Sequence, residues 1–166
     1  MLTRGARASV AAVVLGLALA LVLNACGKEP VSIPTLRLSE ADQAVCQRVV
    51  NALPDKVDGQ SRRKTQPAEA LGSAWGDPAI VAQCGVSVPA GFNRTSGCQT
   101  ANGVGWYVPD DQFADESSDL VISTAGYRPI VQVTIPATYR PEGLAAVMAE
   151  LAPMVRDYTK LVKPCR

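Results

Sequence analysis

Ile130-Val131-Gln132-Val133-Thr134-Ile135-Pro136 is the stretch that decides the fold. Val131, Val133 and Ile135 alternate with Gln132 and Thr134. That period of two belongs to a strand with one face in a core and the other wetter, the usual state in an antiparallel sheet. Pro136 ends the strand, since proline has no N–H to give to a ladder. A few residues on, the period becomes helical. Leu144, Val147, Met148, Leu151, Val155, Tyr158, Leu161 and Val162 form one apolar stripe behind Pro141-Glu142, with proline in the first turn, where its missing N–H does no harm. Pro153 interrupts the stripe without shifting its phase, which predicts one kinked helix.

Upstream, residues 79–84 are a short apolar run between Pro78 and Gly85, and residues 120–124 are another; both read as strands. Asn102-Gly103 is a hairpin signal between residues 98–101 and 104–108. Residues 110–119 read as an acidic loop. Residues 55–76 are polar, with a short helical turn expected over residues 68–74. Arg62-Arg63-Lys64, in the middle of that segment, reads as a solvated loop face that could meet acidic head groups or an anionic polymer. Ser39-Glu40-Ala41-Asp42 opens a first helix, with Ser39 as N-cap and acidic residues at the positive end of the dipole. Val45, Cys46, Val49, Val50 and Leu53 share its inner face, and Pro54 stops it. The fold class is therefore α+β: a two-layer domain with an N-terminal helix, a four- to five-stranded antiparallel sheet and a C-terminal kinked helix, both helices on one sheet face.

The N-terminus carries an address. Arg4 and Arg7 precede an uncharged run, residues 8–23, shorter than the roughly 20 residues that span hydrocarbon. It closes in Leu23-Asn24-Ala25-Cys26-Gly27, which resembles a bacterial lipobox: an aliphatic residue three before the cysteine and a small one just before it. Residues 1–25 are expected to be a lipoprotein signal peptide, removed after Sec export. Cys26 then becomes the acylated first residue (palmitate among its chains), since more than one chain is needed for stable anchoring. Residues 26–38 contain Pro30 and Pro34 and no amphipathic period. They read as an extended tether able to lift the domain roughly 35–40 Å from the membrane. Residues 39–166 read as one disulfide-stapled domain on the extracytoplasmic face of the cell membrane.

The whole chain has 16 basic and 15 acidic residues; without Arg4 and Arg7 the balance is 14 to 15. Near-neutrality gives no electrostatic footprint for nucleic acid. The chain has no histidine, which excludes Ser-His-Asp and Cys-His arrangements, histidine-bearing zinc sites and any imidazole base. With Cys26 acylated, Cys46, Cys84, Cys98 and Cys165 remain, an even number that reads as two disulfides in an exported domain. Their wide spacing does not suit a zinc site, so no metal and no cofactor are expected. Three connectivities are open. The favoured one joins Cys84 to Cys98 as a local staple and Cys46 to Cys165 across the ends of the domain.

Reaction chemistry finds little to stand on. Gly85-Val86-Ser87-Val88-Pro89 comes within one residue of a nucleophile elbow, but Pro89 replaces the second glycine and Ser87 has no histidine to activate it. Asp110, Asp111, Asp115, Glu116 and Asp119 crowd one polar loop, whereas a glycosidase acid needs burial to raise its pKa. Trp75 and Trp106 each adjoin a glycine, Gly76 or Gly105; they read first as core plugs and second as stacking platforms for sugar rings or acyl chains. Arg128 and Arg140, each followed by proline, are the fixed cations best suited to an anionic ligand.

Trp75-Gly76-Asp77-Pro78-Ala79-Ile80, Cys84-Gly85-Val86, Gly103-Val104-Gly105-Trp106, Thr138-Tyr139-Arg140-Pro141 and Pro164-Cys165 occur in an order similar to that of the actinobacterial domain-of-unknown-function 3515 family. The resemblance runs from about Ala41 to Cys165. It implies a small exported, lipoprotein-like protein and carries over no catalytic residue. The expected function is a non-catalytic envelope module, not an enzyme, that binds a protein, a cell-wall polymer or a lipid. A carboxylate-only cell-wall hydrolase is the alternative.

Overall fold

The computed structural model describes residues 28–93 and 95–164. The signal segment, Cys26 and Cys165 lie outside them. The strands are β1 (Val31–Ser32), β2 (Lys56–Val57), β3 (Gln60–Arg63), β4 (Thr65–Gln66), β5 (Gly72–Trp75), β6 (Ile80–Val86), β7 (Gln99–Ala101), β8 (Val104–Tyr107), β9 (Leu120–Thr124), β10 (Tyr127–Arg128), β11 (Ile130–Ile135) and β12 (Lys160–Leu161). The helices are α1 (Glu40–Ala52), α2 (Asp110–Ala114) and α3 (Arg140–Tyr158).

The α+β class and the antiparallel sheet hold, but the sheet is wider than expected. Eight strands lie in the order β2-β3-β5-β6-β11-β9-β8-β7, and every neighbouring pair is antiparallel. The additional strands come from the polar segment. Asp58 and Gly59, at φ 49° and 69°, form the tight turn that joins β2 to β3, as Asn102 and Gly103 do for β7 and β8. β5 replaces the helical turn expected over residues 68–74. Its small residues fit a strand covered on both faces: a Cβ on Gly72 would lie 2.6 Å from Ala82 O and 3.1 Å from Ile33. The acidic stretch also holds a short helix, α2, before it becomes a loop.

Register places the core. Val131 is opposite Cys84, and Val133 lies between Ala82 and Ile122, so Ile80, Ala82, Cys84, Val131, Val133, Ile135, Leu120 and Ile122 share one buried face. Burying each large aliphatic side chain there contributes about 1.5–3 kcal/mol. α1 and α3 touch each other and cover that face, α1 over β6 and α3 over β2, β7, β8 and β11. Ser39 caps α1 as expected, its hydroxyl accepting the Asp42 N–H at 3.1 Å. α3 is one helix through Pro153, burying Val147, Leu151, Ala152 and Val155. It stops at Tyr158, short of the end of the apolar stripe. Residues 160–161 turn into β12, which pairs with β10, so Leu161 and Val162 are off the helix and about half exposed.

The described part of the expected tether, residues 28–38, is extended but not free. β1 pairs in parallel with β4, Ile33 is fully buried, and Gln83 Nε2 donates to Pro34 O at 2.6 Å. Two prolines leave the segment without periodicity, yet its isolated aliphatic residues find pockets on the sheet face that the helices leave open.

Candidate functional site

Cys46 on α1 is bonded to Cys84 on β6, with a Cα–Cα distance of 5.4 Å. This overturns both expected pairings. α1 lies over β6, and Cys84 points toward it. Cys98 directly precedes β7, four strands away in the sheet order, about 19 Å at the usual strand spacing. Cys98 is itself disulfide-bonded. The cysteines left to pair with it are Cys26 and Cys165, both outside the described residues.

Trp75 and Trp106 are both 0% exposed. Trp75 Nε1 donates to Pro54 O at 2.9 Å, and the Arg62 guanidinium lies 5.8 Å from its ring centroid. Trp106 Nε1 is buried without a hydrogen-bond partner. Both indoles belong to the helix-covered core, so they act as core plugs and neither offers a face for stacking sugar rings or acyl chains.

Arg140 is also structural. It is 7% exposed and donates to the carbonyls of Gln112 and Asp115 and to Ser118 O at 2.8 Å. It thereby closes the chain that follows α2. In that loop the Ser117 hydroxyl and backbone N–H donate to the Asp115 carboxylate; they hold its carboxyl below the ordinary value, helped by Ser118 and the Arg140 charge. Asp119 Oδ1 accepts the Ala137 N–H at 3.0 Å. Among the described residues, no group of three or more Cys, Asp or Glu is placed to hold a metal ion.

Arg128 has a different setting. Its side chain is exposed, and one guanidinium nitrogen donates to Tyr127 O at 2.7 Å. It stands at a groove of about 230 Å³ whose walls include Leu38, Asp42, Ser87, Val88 and Pro129. The walls are made by close packing at the end of β6. Gly85 has φ +91°, and a Cβ there would overlap Leu38. The glycine of the elbow-like motif thus serves a leucine contact, not a nucleophile. A register shift at Ile130/Val131 bends the facing strand, with Thr124 Oγ1 accepting the Val131 N–H at 3.0 Å. Across the β10–β12 pair, Lys160 is the direct partner of Arg128. Like charges placed opposite one another repel, and an anion between them would relieve that repulsion. Val88 on the groove wall is 51% exposed. The site can therefore hold an anionic group at its rim and an apolar portion between its walls.

The family model for a protein of unknown function, DUF3515, matches residues 6–160. The chain belongs to that family. The match takes in the whole eight-stranded sheet, both long helices and every wall of the groove. No curated protein and no solved structure matches the chain.

Of the four ligand-binding candidates named from the sequence, Arg128 lines a groove. The structure separates Arg140 from Arg128 and places both tryptophans in the core. Leu38, Asp42 and Val88 had no signal of their own. A glycine at the end of an apolar strand, Gly85, was the available clue that another part of the chain approaches closely there.

Proposed function

We propose that this DUF3515 chain is an exported lipoprotein of the cell membrane, acylated at Cys26 after removal of residues 1–25. On this reading it is a non-catalytic module that binds an anionic envelope partner at the Arg128 groove. The observation that carries the binding site is the exposed Arg128, cross-strand partner of Lys160, on a largely apolar groove whose wall also carries Asp42. The partner class is a protein, a cell-wall polymer or a lipid bearing negative charge. The anchor is supported by Leu23-Asn24-Ala25-Cys26-Gly27, and the actinobacterial setting by the motif resemblance. The carboxylate-only hydrolase loses ground at Asp115, because a general acid needs a raised pKa and this carboxyl is lowered.

Two measurements test the proposal. Crosslinking in intact membranes, with partners identified by mass, should yield a species with the wild type that Arg128→Glu loses while its melting temperature is unchanged. An identical set of partners from both proteins rejects the groove. Non-reducing peptide mapping tests the anchor: acylated Cys26 leaves Cys165 as the partner of Cys98, whereas a Cys26–Cys98 peptide rejects the lipobox reading.

A further inference from the structure

The N-terminal segment is fastened to the sheet from its first described residue. Lys28 Nζ lies 3.2 Å from Asp77 Oδ2. Arg63 gathers the neighbouring chain: it donates to Glu29 O at 2.7 Å and to Gly76 O at 3.1 Å, and stands 3.5 Å from Asp77 Oδ1. The Val31 N–H then donates to Lys64 O at 2.8 Å and the Ile33 N–H to Gln66 O at 2.9 Å. Leu38 fills the space over Gly85. The segment runs along the sheet from the Asp77 turn to the groove and leaves no slack. Only Gly27 separates Lys28 from Cys26, so the anchoring cysteine is at most about 7 Å of chain from Lys28, whose side chain reaches the Asp77 turn.

We infer that the Asp77 end of the sheet rests directly on the lipid headgroups, so that the partner of this surface is the membrane itself. The inference builds on acylation of Cys26. Lys28 and Lys56, both exposed, lie at this end, since Lys56 pairs with Ser61 and Ser61 O accepts the Gly76 N–H at 3.1 Å. They can meet headgroup phosphates, although the exposed Glu29, Asp55 and Asp77 leave this end without a net positive charge. The short covalent link provides the hold, and the fastening of residues 28–33 at this end makes it the one that faces lipid. β6 leads from Ile80 at the seated end to Val86 at the groove, about 20 Å at the usual rise of a strand. The groove therefore opens away from the bilayer, toward the envelope, where a partner can reach it.

The test uses the mature acylated protein in phosphatidylcholine vesicles and a water-soluble amine-modifying reagent, with labelling read peptide by peptide in mass. Lys28 and Lys56 should label several-fold more slowly on vesicles than in the Cys26→Ser protein in solution, while Lys160 labels alike in both. Inserting twelve Gly/Ser residues after Gly27 leaves the fold untouched and adds a coil of about 19 Å; it should restore the labelling of both lysines. Equal labelling of Lys28 and Lys56 on vesicles and in solution overturns the seat, and so does shielding that survives the insertion. The same spectra report the mass at Cys26. An unacylated cysteine removes the anchor and this inference together, whereas an acylated protein with unshielded lysines removes this inference alone.

Discussion

Arg128-Pro129 and Arg140-Pro141 are the same dipeptide at two corners of one molecule, with opposite fates. At the Arg140 corner the chain leaves α2 and passes Asp115 and Ser118 without a strand to take up its carbonyls. A buried guanidinium does so instead. At the Arg128 corner other devices hold the chain. The Cys46–Cys84 bond ties α1 to β6, Leu38 closes over Gly85, and β10 is paired with β12. Apart from Tyr127 O, no described group there takes up the guanidinium, which stays in water. The Arg140 guanidinium is used up in fixing its own chain, whereas that of Arg128 is left largely unengaged because other contacts already fix the chain there.

The contrast breaks most severely if the brace at the Arg128 corner is removed. Cys46→Ala with Cys84→Ala opens a loop with a sequence separation of 38. On the chain-entropy account this loses about 4 kcal/mol in denaturant melting. A loss under about 1 kcal/mol would mean that the corner has another brace. Arg140→Met keeps aliphatic bulk but no donors, and is expected to lose about 2–3 kcal/mol, because charged hydrogen bonds are lost while the loop carbonyls partly rehydrate. Unchanged melting of this variant would show that water serves those carbonyls equally well. Arg128→Met should change stability by no more than about 0.5 kcal/mol; a larger loss would place it beside Arg140 and end the contrast.

The smallest effect belongs to Asp115→Asn. A carboxyl held below its ordinary value of 3.8 in the fold stabilises above that value and ceases to do so as pH falls through its lower folded value. The wild type should melt slightly above the variant at neutral pH, and the two should converge on acidification below 3.8. A difference that grows in acid would contradict the sign.

Elements with a strong period or a sharp terminal signal were legible in the sequence. α1 announced itself by Ser39 and its inner face, β7–β8 by Asn102-Gly103, and β9 and β11 by their apolar residues. β2 and β3 were not legible, although Asp58-Gly59 is as good a turn as Asn102-Gly103, because Lys56, Gln60 and Ser61 flank it without an apolar alternation. β5 was hidden because Gly72, Ser73 and Ala74 are small for a reason that only packing supplies: chain covers the strand on both sides. The disulfide could not be read because it depends on α1 crossing β6, a fact of tertiary placement. At the candidate site, sequence singled out Arg128 and Arg140 on equal grounds, and the carbonyls around the end of α2, which no strand takes up and Arg140 does, tell them apart.

The sheet order has a consequence for how the molecule comes together. β2, β3, β5 and β6 are neighbours in the order in which they occur, and so are β7, β8 and β9. Each group can zip locally without waiting for the rest of the chain, and the first, with α1 just ahead of it in the chain, already brings in both Cys46 and Cys84. Between the two groups lies a gap one strand wide, and β11, late in sequence, fills it. On the proposed export, N-terminus first, the early half could fold and be oxidised while the later half is still in transit. Until β11 arrives, β6 has one unpaired edge. Closure of the domain is then the insertion of a single wedge, Ile130–Ile135, between two preassembled leaves.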